Sequence, residues 1–299
     1  MGYQTARALA VAGADVVIAD RNEAQAHWAV GQIRMVAPAA LVRFERVDLA
    51  DTWSIADFVE RLKKVRIPVD LLVNNAGIFA LPRRKVNSAG VEMQFAVNYL
   101  GPFALTGMLL PLLTASAQSR VVQVSSISYD RGSIQLDDLQ MERGYSRWRA
   151  YLQSKLALML FTRELGRRSR VAGWRILTAA AHPGYARTGL FGAGPGAASL
   201  VNLLHRTLGV HLSHSAEQGA LPVLYAATAP DTQPGGFYGP TGSLGLVGAP
   251  GELAIDPKGL DAEMAELLWE RSEQLTGVEW SKAQLVSAGP LTPEPQTQG

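Results

Sequence analysis

The stretch Val69-Asp70-Leu71-Leu72-Val73-Asn74-Asn75-Ala76-Gly77 decides the fold. Its Leu71-Leu72-Val73 run is apolar at consecutive positions, so a strand formed there buries both faces, as strands of parallel sheets do. Asn74, Asn75 and Gly77 then stop the run with turn-forming residues. The same unit recurs along the chain. Asp15-Val16-Val17-Ile18-Ala19 closes at Asp20-Arg21-Asn22, and Leu41-Val42-Arg43-Phe44-Glu45-Arg46-Val47 closes at Asp48-Leu49. Arg120-Val121-Val122-Gln123-Val124 closes at Ser125-Ser126, and Trp174 to Ala180 closes at His182-Pro183-Gly184. Between these runs lie segments of helical spacing, at about 2–12, 23–36, 54–65 and 90–113, a long one through Tyr151, and one at about 260–275. Strict strand–helix alternation predicts an α/β fold, a doubly wound parallel sheet with helices on both faces. Such sheets bind ligands at the carboxyl ends of their strands. The polar residues Asp20, Asp48, Asn74, Ser126 and Pro183 all fall there.

Bulk properties narrow the classes of function. The chain has 299 residues, 47% hydrophobic and 18% charged, enough for one large α/β domain, placed at 1–288. A formal charge of +2, with basic residues spread along the chain, gives no reason to expect a nucleic-acid partner. There is no cysteine, which excludes disulfides and thiolate chemistry. His205, His211 and His214 have no carboxylate at ligand spacing, so no metal site is expected. The most apolar segment, Tyr99 to Leu113, is interrupted by Gly101, Pro102, Gly107 and Pro111 and reads as a buried helix rather than a membrane span. With no signal-peptide pattern at the start, a cytoplasmic protein is expected. Residues 189–215, Gly/Ala-rich and then amphipathic, read as a substrate lid, and 289–299 as a disordered tail. The six tryptophans are expected to pack, and His182 to stabilise its strand end.

The chemistry centres on Tyr151-Leu152-Gln153-Ser154-Lys155. On a helix, positions i and i+4 share a face, so the phenol and the ammonium point the same way. A cation beside a phenol favours the phenolate and lowers its pKa, which makes the pair an acid–base device. Taken alone, such a pair is more often a solvated surface feature. Ser126 alone would be turn chemistry, Asn98 a solvated helix residue, and Asn74-Asn75 a strand-end cap.

Together these residues resemble the short-chain dehydrogenase/reductase family. Asn74-Asn75-Ala76-Gly77 matches its post-strand motif, Asn98 its helix asparagine, Ser126 its catalytic serine, and Tyr151 with Lys155 its YxxxK pair. Pro183-Gly184, followed by Thr188, matches the motif beside the nicotinamide. The polar insert between Ser126 and Tyr151, with Ile134 to Leu139 and Tyr145-Ser146-Arg147, looks like that of the retinol-dehydrogenase-like branch, as does His182-Pro183-Gly184-Tyr185-Ala186-Arg187-Thr188. Membrane forms of that branch carry an N-terminal anchor, which this sequence does not contain.

The resemblance implies a Rossmann-like domain and an NAD(P)-dependent oxidoreductase interconverting an alcohol and a carbonyl on a hydrophobic small molecule. Tyr151 would exchange a proton with the substrate oxygen, Ser126 would hydrogen-bond it, Lys155 would hold the nicotinamide ribose, and Asn98 would bind a water leading to Lys155. Gly2, Asp20, Arg21, Asp48, Leu49, Asn75, Ala76, Gly77, Pro183, Gly184 and Thr188 would line the cofactor site with Tyr151 and Lys155. Asp20 at the strand end suits a ribose 2′-hydroxyl and favours NAD, while Arg21 beside it suits the 2′-phosphate of NADP. Asp48 equally suits the start of the next helix. A homo-oligomer is compatible with the resemblance.

One part of the family pattern is incomplete. The phosphate loop TGxxxGxG joins the first strand to the first helix, and here Gly2 aligns with its last glycine. The family's first, central strand has no counterpart in this sequence, so its neighbours should show unpaired edges. Two readings stay open: a polypeptide that begins upstream of Met1, or a truncated relative acting as a non-catalytic binding or scaffold protein.

Overall fold

The computed structural model describes residues 1–184 and 215–280. Thr188, His205, His211, His214, the tail at 289–299 and all of the proposed lid except Ser215 lie outside them. Ser215 caps the helix that follows.

The elements follow the expected alternation. They are α1 (Gly2–Val11), β1 (Val16–Asp20), α2 (Glu23–Val36), β2 (Val42–Arg46), α3 (Thr52–Val65) and β3 (Leu71–Asn74). The predicted helix at 90–113 is broken into α4 (Met93–Phe95), a π turn (Ala96–Leu100), α5 (Gly101–Met108) and α6 (Leu110–Thr114). Pro102 and Pro111 stand in the first turns of α5 and α6, where a missing N–H is tolerated. There follow β4 (Ser119–Val124), α7 (Arg147–Ala172), β5 (Ile176–Ala181), α8 (Ala216–Thr228), β6 (Gly236–Pro240), β7 (Pro250–Leu253) and α9 (Ala262–Thr276). The last two strands escape a sequence reading because Gly236, Gly239, Pro240, Pro250 and Gly251 look like loop residues.

The strands form two sheets. In one, β1 pairs with β2; in the other the order is β3-β4-β5-β6-β7, parallel except for the final pair. The expected interruption is therefore present. Among the described residues β1 pairs only with β2, and β3 only with β4. The side chains of β1 and β3 are mostly half-buried, whereas β4 and β5 are buried almost throughout.

Helices cover both faces. On one, α3, α5, α7 and α9 enclose the largest core, with Phe95, Tyr99, Phe103, Phe161, Trp269 and Trp280 in ring-to-ring contact. On the other, α8 packs on β4, β5 and β6, and α1 and α2 pack on β1 and β2. The tryptophans divide: Trp269 and Trp280 are buried, while Trp28, Trp53 and Trp148 are exposed. Among the described residues no helix is long and apolar enough to cross a membrane.

Candidate active site

The carboxyl ends of β1, β2, β3, β4 and β5 open onto one cleft of about 330 Å³. Asp20, Arg21, Asp48 and Leu49 line one end of it; Asn75, Ala76 and Gly77 line the middle; Tyr151, Lys155 and Pro183 line the other. Helix α1 starts at this cleft, with Met1 in its wall. Of the five strand-end residues named from the sequence, Asp20, Asp48 and Pro183 line this cleft, whereas at the ends of β3 and β4 the neighbours Asn75 and Ser125 line it in place of Asn74 and Ser126.

Lys155 and Tyr151 are carried by α7, which Ser146 caps through the Arg149 N–H. Lys155 is buried, and its Nζ donates to the Val124 carbonyl at 2.8 Å, at the end of β4. Its own carbonyl accepts from the Ser125 hydroxyl at 2.9 Å. The ammonium stands 5.7 Å from the centre of the Tyr151 ring. Burial lowers its pKa to about 8.

The electrostatic expectation for Tyr151 is corrected here. Burial raises the phenol pKa, and the Ser126 hydroxyl beside it acts in the opposite direction. Loss of water around the buried phenol is the larger effect, because the phenolate loses more solvation than the neutral phenol. Ser126 lies at the start of a 3₁₀ turn (Ile127–Arg131), where its Oγ also accepts from the Ser128 N–H at 3.3 Å.

Asn98 lies fully buried in the π turn, and every polar atom of its side chain is engaged. Oδ1 accepts from the Ile78 N–H at 2.7 Å, while Nδ2 donates to the Ile78 carbonyl at 3.0 Å and to Ser154 Oγ at 2.9 Å. Its side chain is a clamp between the loop after β3 and helix α7. Asn74 faces away from the cleft and donates to Thr106 at 3.2 Å, tying β3 to α5. Asp48 does not cap α3, a task that falls to Asp51; its carboxylate closes a turn onto the Ala50 N–H at 2.9 Å. Asp20 likewise accepts from the Asn22 N–H at 2.8 Å.

His182 is buried and uncharged, its pKa lowered by burial to about 4. Nδ1 accepts from the Gly184 N–H at 3.1 Å, which sets the turn carrying Pro183. Gly184 has φ +68°, and a side chain there would run into the Leu246 carbonyl. Ser125, Val124 and Ile78 escape a sequence reading because they act through backbone groups or through partners remote in the chain. No group of metal-binding side chains occurs among the described residues.

A nucleotide cofactor fits these residues. Asn75 Oδ1 is buried in the wall with no partner. Gly2 packs so closely on this asparagine that an added Cβ would stand 2.7 Å from its Nδ2. The first N–H groups of α1, unused within the helix, are therefore beside the cleft.

A doubly wound α/β fold with Tyr, Lys and Ser gathered at the carboxyl edge defines an oxidoreductase of the Rossmann-like class. The short chain dehydrogenase family model matches residues 1–194, and the chain belongs to that family. It is 36% identical over 282 residues to human retinol dehydrogenase 12, covering 94% of this chain and 84% of that protein. Human polyprenol dehydrogenase is 35% identical over 287 residues, covering 93% and 82% respectively. Among solved structures, an uncharacterised protein from Mycobacterium paratuberculosis is 37% identical, with a TM-score of 0.76 over 94% of this chain and 91% of its own. An NADPH-bound short chain oxidoreductase from Pseudomonas aeruginosa, 17% identical, has a TM-score of 0.61 over 78% of this chain and 88% of its own, and shares the fold.

Proposed function

We propose that this enzyme interconverts a hydrophobic alcohol and its carbonyl compound with an NAD(P) cofactor, using Tyr151 as the acid–base group. The observation that carries the reading is one cleft lined by Tyr151 and Lys155 together with Asp20 and Arg21, with the Ser126 hydroxyl hydrogen-bonded to Tyr151. Bound nicotinamide would supply the hydride acceptor or donor. Tyr151 Oη, the proton-bearing atom of the site, gives a proton to the substrate oxygen in reduction and removes it in oxidation. Ser126 Oγ donates to the same oxygen and orients it. Lys155 presents its remaining N–H groups toward the cleft, where a ribose hydroxyl can accept.

Asp20 and Arg21 flank the adenosine end, with Asp48 and Leu49 against the base and Asn75, Ala76, Gly77 and Gly2 along the phosphates. Asp20 closes β1 and favours NAD over NADP, because a carboxylate accepts from a 2′-hydroxyl and repels a 2′-phosphate. The names of the relatives, retinol and polyprenol dehydrogenases, support an apolar alcohol. Purified enzyme assayed with retinol and either nucleotide tests the reading. Turnover with NAD⁺ at a lower KM than NADP⁺ is expected, and Tyr151→Phe should reduce kcat by about 10²–10⁴-fold while NADH still binds. Full activity of Tyr151→Phe would remove the tyrosine from this role.

A further inference from the structure

Phe79, Trp148 and Tyr151 form a row of rings. Phe79 stands edge-on to Tyr151 at 4.7 Å between ring centres and 83° between planes, and edge-on to Trp148 at 5.1 Å and 82°. Trp148 is three residues before Tyr151, on the same face of α7, and is 52% exposed. Phe79 is half-buried on the loop that follows β3. An indole left in solvent beside a phenol at the active site has burial as no explanation.

The backbone around Phe79 is held on both sides. Before it, Asn98 binds both the N–H and the carbonyl of Ile78. After it, the Ala80 N–H donates to Oε1 of the fully buried Gln94 at 2.7 Å, and the Leu81 carbonyl accepts from the Tyr145 hydroxyl at 3.0 Å. Gln94 Nε2 donates in turn to that hydroxyl at 3.0 Å and to the Arg147 carbonyl at 3.1 Å, on the residue beside Trp148. One side chain therefore ties the Phe79 loop to the start of α7. Ala80 itself is left-handed, with φ +47°, a conformation that a non-glycine residue holds only where its surroundings enforce it.

We propose that Phe79 and Trp148 are the specificity-determining wall of the substrate site, selecting alcohols with a long or flat apolar chain, and that Gln94 is the residue that positions them. The proposal rests on the reading of Tyr151 as the proton-transfer group and deepens it. Ring edges and faces set at right angles offer an apolar chain contact along its length as it leaves the carbinol carbon at Tyr151. A short alcohol reaches the tyrosine without touching Trp148.

Two measurements separate this wall from the chemistry. The first is retinol binding, followed by quenching of tryptophan fluorescence in the parent, Phe79→Ala and Trp148→Phe, and in Trp148→Ala by displacement of NADH-independent retinol absorbance shifts. Phe79→Ala and Trp148→Ala should weaken binding by about 3–10-fold, the size of a lost aromatic contact. The second compares decan-1-ol with propan-1-ol. The ratio of kcat/KM for decan-1-ol to that for propan-1-ol should fall by about 3–10-fold in both variants, whatever each does to turnover of the short alcohol. Gln94→Leu should reproduce the decan-1-ol effect, and a purely structural role would instead lower both alcohols equally. Trp148 is half in solvent, so its replacement leaves folding intact. Unchanged retinol affinity in both Ala variants, or equal losses for the two alcohols, would overturn the wall. A parent that binds retinol but oxidises nothing would sink the catalytic reading and leave the wall standing.

Discussion

The ammonium of Lys155 is committed to the Val124 carbonyl at 2.8 Å, so helix α7 and the end of strand β4 are joined through a buried charge. The ion sits where water has been excluded, and its pKa falls to about 8. A protonated lysine there opposes folding and serves the site at the same time.

The sign of this effect is testable. The folded pKa of Lys155 lies below the ordinary 10.5, so the unfolded chain binds more protons between about pH 8 and pH 10.5. Lys155 should therefore add stability as pH rises through that window, by on the order of 3 kcal/mol. Urea unfolding of Lys155→Met across the same range should lack this gain, and at pH 7 the variant should be at least as stable as the parent yet turn over no alcohol. Parallel pH curves for the two proteins would contradict the burial argument.

His182 follows the same logic at lower pH. Burial holds its folded pKa near 4 against 6.5, so the neutral ring contributes stability that is present above about pH 6.5 and lost as pH falls toward 4. His182→Asn, whose side-chain oxygen can still accept from the Gly184 N–H, should lose less stability on acidification than the parent. Thermal unfolding at pH 4.5 and pH 7 measures this difference directly.

Asn98 makes three hydrogen bonds from a fully buried amide. Asn98→Ala leaves both backbone groups of Ile78 and the Ser154 hydroxyl without that partner, at a cost of about 1–3 kcal/mol per unsatisfied group before any relaxation. Chemical denaturation should show a clear loss of stability, and KM for nucleotide and alcohol should rise together because the released loop borders both. A variant with wild-type stability would show that solvent replaces the amide without penalty.

The legible and illegible parts of this molecule differ in kind. Asp20, Asp48, Asn75 and Pro183 were readable because strand endings are local events and parallel strands end at one edge, and Tyr151 with Lys155 because four residues on a helix share a face. Clamps such as Asn98 to Ile78 or Gln94 to Ala80 span 20 and 14 residues and leave no local pattern. Strands β6 and β7 were hidden by glycine and proline at positions where the sheet is tightly packed. The tyrosine's electrostatics also went the other way from the expectation, since spacing on a helix reports proximity and says nothing of desolvation.

From sequence alone came the α/β alternation, the edge of the sheet that carries the site, and the Tyr151–Lys155 pair, all governed by local features: short apolar runs, the polar residues that stop them, and the 3.6-residue period of the helices. Tertiary structure decided the rest: the antiparallel β6–β7 pair, the direction in which each pKa moves, and the edge-on packing of Phe79 against Trp148 and Tyr151. Those depend on burial and on contacts between distant segments, which exist only once the chain has closed on itself.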